Sequence, residues 1–222
     1  MLIEWKEIWR KRSLYGYVIG LVIFVNWDLK TKLDYEVIAN IIEPGSRVLD
    51  LGCGNGDLIF LLSQKKNAIV QGIELDDEAI HQCVEKGLSV FQSDIDSGLT
   101  EYPDKTFDYV ILNQSMQEVK KIDFVIEEAL RVGKKVIIGF SNFAHVKARF
   151  MMFFKGKAPI TKSLPYRWYD TPNVRFLSSS DFKYYCANKD INILRVYNLG
   201  KQRLVNFWPN LFALNAVFVI SK

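Results

Sequence analysis

The chain has 222 residues, of which 49% are hydrophobic and 24% charged. This excludes a disordered or fibrous chain and allows one domain with a sizeable core. A net charge of +4 does not by itself call for a nucleic-acid partner, and nothing points to DNA. Cys53, Cys83 and Cys186 are far apart and form no C-x-x-C pair. Neither a disulfide framework nor a metal site is expected, and a reducing, cytoplasmic setting is the natural expectation.

Residues 1–32 begin with a mixture of aromatic and basic side chains, including Arg10, Lys11 and Arg12, followed by an apolar run from Leu14 to Trp27. That is the order of a signal peptide, but no small-residue cleavage site follows. The run is also shorter than the ~20 residues a membrane-spanning helix needs. Three readings stay open: an arm packing on the domain, a segment lying at a membrane interface or on a partner, or translated sequence without a role.

Residues 33–222 read as one α/β domain. Asp34 is placed to cap a helix with Val37, Ile38, Ile41 and Ile42 on one face, stopped by Pro44-Gly45. Strands are expected at Arg47–Leu51, Ala68–Leu75, Ser89–Gln92, Phe107–Asn113 and Lys135–Phe140. Helices are expected at Asp57–Ser63, from Asp76 or Asp77 to about Lys86, and at Ile122–Arg131, the last closed by Gly133. This alternation implies βαβ units with right-handed crossovers. Near-continuous apolar strands imply a sheet covered on both faces. After Phe140 the rhythm breaks into a long basic and aromatic insertion at about 141–175. Ser180-Asp181 then caps a helix through Tyr185. Two last strands, Ile191–Tyr197 and Ala213–Ile220, are joined by a loop with Phe207, Trp208 and Pro209, suggesting an antiparallel pair. The expected fold is a doubly wound, mostly parallel, Rossmann-like sheet of about seven strands with an antiparallel C-terminal edge pair.

Chemistry concentrates in Asp50-Leu51-Gly52-Cys53-Gly54-Asn55-Gly56, where a strand ends and a helix begins. Glycines there let the backbone turn sharply and approach a ligand, and the helix start offers unpaired N–H groups. A glycine turn alone is often just a tight turn. Here Glu74 ends the second strand about 20 residues later, where a carboxylate can accept hydrogen bonds from both hydroxyls of a ribose. The dinucleotide pattern G-x-G-x-x-G needs glycine at position 57, and the residue is Asp57, an unfavourable neighbour for a pyrophosphate.

The pattern Asp50-x-Gly52-x-Gly54-x-Gly56 resembles motif I of the class I S-adenosylmethionine-dependent methyltransferases. Glu74 resembles their ribose-binding acid. Asp94, in Ser93-Asp94-Ile95, resembles the acid that contacts the adenine amino group, and Phe107–Asn113 resembles their fourth-strand motif. The resemblance implies S-adenosylmethionine, or its product S-adenosylhomocysteine, held by Asp50, Gly52, Cys53, Gly54, Gly56, Glu74, Leu75, Asp94, Ile95 and Asn113. From Leu33 onward the chain more specifically resembles the methionine-biosynthesis MetW family. The residues that carry this are Gly45-Ser46-Arg47 running into motif I, Asn113-Gln114, Ser141-Asn142-Phe143 and the run Leu164-Pro165-Tyr166-Arg167-Trp168-Tyr169-Asp170-Thr171-Pro172-Asn173. The resemblance implies a helper role beside homoserine O-acyltransferase. Asn55 departs from the aspartate common in the family, and the tail after Asn198 matches only loosely.

No catalytic base stands out. Asn113-Gln114-Ser115-Met116 lacks the Pro-Pro-aromatic sequence of many amino-directed methyltransferases. His81 reads as a surface residue. His145 fits a general base or, more simply, a polar group serving a loop backbone. Positioning alone can carry much of a methyl transfer, so an enzyme acting on a small acceptor stays the alternative. The insertion holds Lys147, Arg149, Lys155, Lys157, Lys162, Arg167 and Arg175 against one acid, Asp170. Its apolar block Phe150–Phe154 reads first as an amphipathic helix with Phe150, Phe153 and Phe154 packed on the domain. Docking on an acidic protein comes next, ahead of RNA or lipid.

Overall fold

The computed structural model describes residues 32–161 and 163–222. The readings placed on residues 1–31, and Lys162 of the insertion, lie outside the described residues. In chain order the elements are α1 (Leu33–Ile41), β1 (Arg47–Leu51), α2 (Asp57–Lys66), β2 (Ile69–Glu74), α3 (Asp77–Glu85), β3 (Ser89–Gln92), β4 (Phe107–Asn113), α4 (Ile122–Val132), β5 (Gly133–Ser141), α5 (Val146–Lys155), α6 (Ser179–Asn188), β6 (Asn192–Leu199), α7 (Pro209–Phe212) and β7 (Asn215–Ser221). The seven strands form one sheet in the order β3-β2-β1-β4-β5-β7-β6. β1 pairs in parallel with β2 and β4, and β7 lies antiparallel between β5 and β6. The strand order reverses at β1, so the crevice of the doubly wound sheet opens at the carboxyl ends of β1 and β4.

The pleat sends alternate side chains to two separate cores. Val110 and Leu112 of β4, Val136, Ile138 and Phe140 of β5, and Phe218 of β7 join α4 and α6 on one face. Tyr109, Ile111, Ile137, Val217 and Val219 join α1 and α2 on the other. On the first face Phe182 meets Phe218 edge-on at 4.9 Å, and Phe218 stacks with Phe140 at 5.7 Å. Burial on both faces is why these strands read as continuous apolar runs.

Three local expectations are corrected. Asp34 is not a cap: it lies within the first turn of α1, is buried, and accepts a hydrogen bond from Asn113 Nδ2 at 2.9 Å. Gly133 closes α4 as expected, its N–H donating to Ala129 O, but it does so in an extended conformation and opens β5, where a Cβ would meet Val110 Cγ2 at 2.7 Å. Close packing, not a turn, requires glycine there. The cap of α6 is Ser178, not Ser180, in a capping box with Asp181. The loop before β7 contains the single turn α7.

The largest correction concerns α5. It forms inside the insertion, and His145 caps it: Nδ1 accepts from Lys147 N at 3.2 Å. Ala148 is its only buried residue, and Phe150, Phe153 and Phe154 are exposed rather than packed on the domain. A small alanine lets the helix lie close, so the long side chains around it project outward. No helix among the described residues is long and apolar enough to cross a membrane.

Candidate functional site

The glycine turn leaves β1 and folds over the end of β2. Gly52 N and Cys53 N both donate to Ile73 O, at 2.8 and 3.1 Å. Gly52, Gly54 and Gly56 all have positive φ, at 73°, 54° and 76°. Their surroundings differ. A Cβ on Gly52 would meet Ser115 Cβ at 2.6 Å, and one on Gly56 would meet Leu88 Cδ1 at 2.5 Å, whereas one on Gly54 would meet nothing within 4 Å. Two of the glycines are fixed by packing. The third presents open space between the ends of β1 and β2.

Glu74 bridges this turn to the start of α3. Its Oε2 accepts from Gly54 N at 2.7 Å, and its Oε1 accepts from Leu75 N at 2.8 Å and Asp76 N at 3.1 Å. Asp76 then caps α3 through Ala79 N. Beneath the turn Asp50 is 2% exposed. Burial first, and the Glu74 carboxylate second, push its carboxyl up to about 7. Asn55, the family departure, spans the turn: Nδ2 donates to Asp57 Oδ2, and Oδ1 accepts from Asp57 N. Lys86 Nζ closes the bend by donating to Asn55 O and to Asp57 Oδ1, both at 2.7 Å.

The other expected residues divide. Asp94 is at the same end of the sheet, just after β3, capping a short 3₁₀ turn through Asp96 N, and Ile95 packs on the core beside it. Leu75 is exposed next to Glu74. Cys53 contributes only backbone to the crevice. Its thiol is buried, at the position where a Gly72 Cβ would fall, and burial raises its pKa far above the ordinary thiol range. Asn113 has its amide committed to Asp34, and its Oδ1 is buried without a hydrogen-bond partner. Of the two histidines, His81 is exposed on α3. His145 is held below its ordinary pKa by burial and by Lys147, as suits a neutral cap.

Three site neighbours escaped the sequence reading. Tyr35 of α1 has its phenol pushed up by burial, then by the carboxylates of Asp34, Asp50 and Asp57, which sets it beside the turn. Glu118, after β4, is raised by partial burial and by Glu74. Ser115 Oγ donates to Leu51 O at 2.6 Å. No local motif marks any of them; the only signal is that the loop after β4 leaves from the carboxyl end of the sheet. Among the described residues no group of three His, Cys, Asp or Glu is placed to hold a metal.

Comparison with known proteins bears on this geometry. The model of the family described as methionine biosynthesis protein MetW matches residues 32–220. The bifunctional methionine biosynthesis protein MetXA/MetW of Rhodopirellula baltica is 34% identical over 165 residues, which are 70% of this chain and 26% of that protein. The ribosomal protein L11 methyltransferase of Burkholderia mallei is 28% identical over 54% of this chain and 40% of its own length. The chain thus spans about a quarter to two-fifths of these curated relatives. Among solved structures, a Thermotoga maritima S-adenosylmethionine-dependent methyltransferase, described as a possible histamine N-methyltransferase, superposes with a TM-score of 0.61. It is 16% identical and covers 95% of this chain and 96% of its own. The cyclase SpnF superposes with a TM-score of 0.60 at 18% identity, over 85% of this chain and 80% of its own. At such identities the likeness shows the fold alone, a class I methyltransferase-like fold.

Proposed function

The chain belongs to the MetW family of methionine biosynthesis proteins, and from that premise we propose that it binds S-adenosylmethionine or S-adenosylhomocysteine and acts with, or regulates, a homoserine O-acyltransferase. The observation that carries the ligand reading is Gly54, open to the crevice at positive φ, with its N–H held by Glu74. Backbone in that state admits a ligand to van der Waals distance without displacing a side chain. Asp57, paired with Lys86 at the start of α2, disfavours a pyrophosphate there. Asp50, Glu74 and Glu118 instead make an anionic surround that fits the ammonium and sulfonium groups of S-adenosylmethionine. In this reading Glu74 takes the ribose hydroxyls, Asp94 faces the adenine amino group, and backbone from Gly52 to Gly56 wraps the amino-acid end. When bound, the ligand supplies an electrophilic methyl group. This chain's own residues bind and orient it.

The partner reading is supported by the R. baltica relative, whose name joins MetXA and MetW in one polypeptide. S-adenosylmethionine is made from the product of methionine synthesis, so its occupancy can report pathway output by shifting a docking-competent population. A cytoplasmic setting fits three buried cysteines without a disulfide.

Calorimetric titration with S-adenosylmethionine tests the ligand reading. Binding is expected, and its pH dependence follows from Asp50. Only the ionised carboxylate attracts the cationic ligand, and the group ionises at about 7. Below pH 7, where the ligand's ammonium is protonated throughout, affinity should therefore fall about fivefold from pH 7 to pH 6. Asp50→Asn should flatten that profile, and a flat wild-type profile would remove Asp50 from the site. A second reading, a methyltransferase acting on a small acceptor, is favoured by the match to the 27-O-demethylrifamycin SV methyltransferase of Amycolatopsis mediterranei, 26% identical over 57% of this chain and 48% of its own. It requires turnover with some member of an acceptor panel; binding without turnover leaves the accessory role.

A further inference from the structure

The insertion carries an exposed apolar face that the site does not use. On α5, Phe150, Phe153 and Phe154 are 54%, 82% and 67% exposed, and their rings pack on one another with centroids at 4.4 and 4.8 Å. The face continues through Met152 into a recess of about 200 Å³ lined by Phe143, Leu164, Arg167, Trp168 and Phe176. Trp168 on its rim is 77% exposed. Together these rings leave on the order of 500 Å² of apolar surface in water, as large as the biggest patches on ordinary monomers, which are often functional. The rim is basic. Residues 145–175 contain seven Lys or Arg and one acid, Asp170.

We propose that this face, α5 with the Trp168 recess, is where the acyltransferase docks. The recess receives an apolar side chain, and an acidic rim on the partner meets Lys147, Arg149, Lys155 and Lys157. This rests on the partner reading above and adds the surface. Charge selects the occupant. A second copy of the chain would bring its own Lys147, Arg149, Lys155 and Lys157 against these. Residues 1–32 carry six Lys or Arg against three Asp or Glu, so their net charge also has the wrong sign to complement these bases. A lipid surface matches the bases and rings but has no projecting side chain for a recess that holds one large apolar group. RNA matches the bases, but the phenylalanines pack on each other rather than splaying to receive bases.

The face is tied to the cofactor crevice. Val174 N and Arg175 N donate to Gln117 O at 3.0 and 3.2 Å, and Arg175 Nε donates to Val119 O at 3.1 Å. Both acceptors belong to the loop whose Ser115 anchors on Leu51 and abuts Gly52. The segment that bears Trp168 thus ends on the loop that packs against the glycine turn.

The test uses the full chain and the homoserine O-acyltransferase of the same organism. Phe153→Glu should weaken their complex at least tenfold. The double variant Lys155→Glu/Lys157→Glu should slow association severalfold and reduce its salt dependence. Both should bind S-adenosylmethionine as the wild type does, which verifies that they fold. A photocrosslinker at position 153 identifies the occupant in a mixture containing the acyltransferase, phosphatidylglycerol vesicles and a single-stranded RNA. An adduct on the acyltransferase supports the proposal; adducts on residues 1–31, a second copy, lipid or RNA overturn it. A wild-type complex that both variants form equally well overturns this surface and leaves the partner reading intact. No wild-type complex at all removes both.

Discussion

Replacing Glu74 with Ala is expected to weaken S-adenosylmethionine binding by one to two orders of magnitude. The carboxylate accepts hydrogen bonds from Gly54 N, Leu75 N and Asp76 N, so it organises the turn as well as facing the crevice. Its removal takes charge-assisted hydrogen bonds from the ligand, a loss of about 1.5–3 kcal/mol. It also frees the turn to relax. Glu74→Gln should recover little. A carboxamide presents an oxygen on one side only, so its NH₂ must oppose the N–H of Gly54 or those of Leu75 and Asp76. The measurement is calorimetric affinity, with thermal unfolding of each variant as the control. Wild-type affinity in Glu74→Ala would place the ligand elsewhere.

The second large effect separates two glycines two residues apart. Gly52→Ala is expected to destabilise the fold by about 2–4 kcal/mol: a left-handed φ is unfavourable for alanine, and the new methyl would lie at 2.6 Å from Ser115 Cβ. For a chain of this size that lowers the melting temperature by roughly 5–15 °C. Gly54→Ala shares the backbone strain but meets no protein atom, so its cost should be about 1–2 kcal/mol. Its Cβ instead enters the ligand's space, and affinity should drop at least tenfold. Thermal melts and titrations of both variants check this. If Gly54→Ala bound as tightly as the wild type, the open space above it would not be the ligand site.

Where the sequence was legible, a local cause was visible. Arg47–Leu51, Ser89–Gln92 and Phe107–Asn113 coincide with β1, β3 and β4 because short apolar runs are bounded by turn residues and helix caps. Motif I and Glu74 were legible because glycines and an acid 20 residues apart occur at two adjacent strand ends in this topology. Caps were the weaker part. Asp34 and Ser178–Asp181 offer several cap-forming side chains within a few residues, and tertiary contacts choose among them. Tyr35, Ser115 and Glu118 reach the crevice only through the arrangement of strands, which no neighbouring residue announces. The face of α5 failed for another reason. Phenylalanines at helical spacing look alike whether they face a core or a partner, and Ala148, the residue that packs, carries no such signature.

The reaction is not dictated by the fold, which this chain shares with enzymes of different chemistry, SpnF among them. The site itself carries features for binding: an open glycine, a carboxylate aligned by three N–H groups, and a buried acid that ionises at about 7. His145, the histidine nearest in sequence to the end of β5, is committed to capping α5. These features are those the proposed ligand-sensing role requires.

The most direct test is the rate of homoserine acylation by the acyltransferase of the same organism, measured with and without this protein and with S-adenosylmethionine varied. The account predicts a clear change in rate on addition, modulated by S-adenosylmethionine and lost in Phe153→Glu. A rate unchanged at every ligand concentration, with no complex between the two proteins, would contradict it and leave a methyltransferase with its own acceptor.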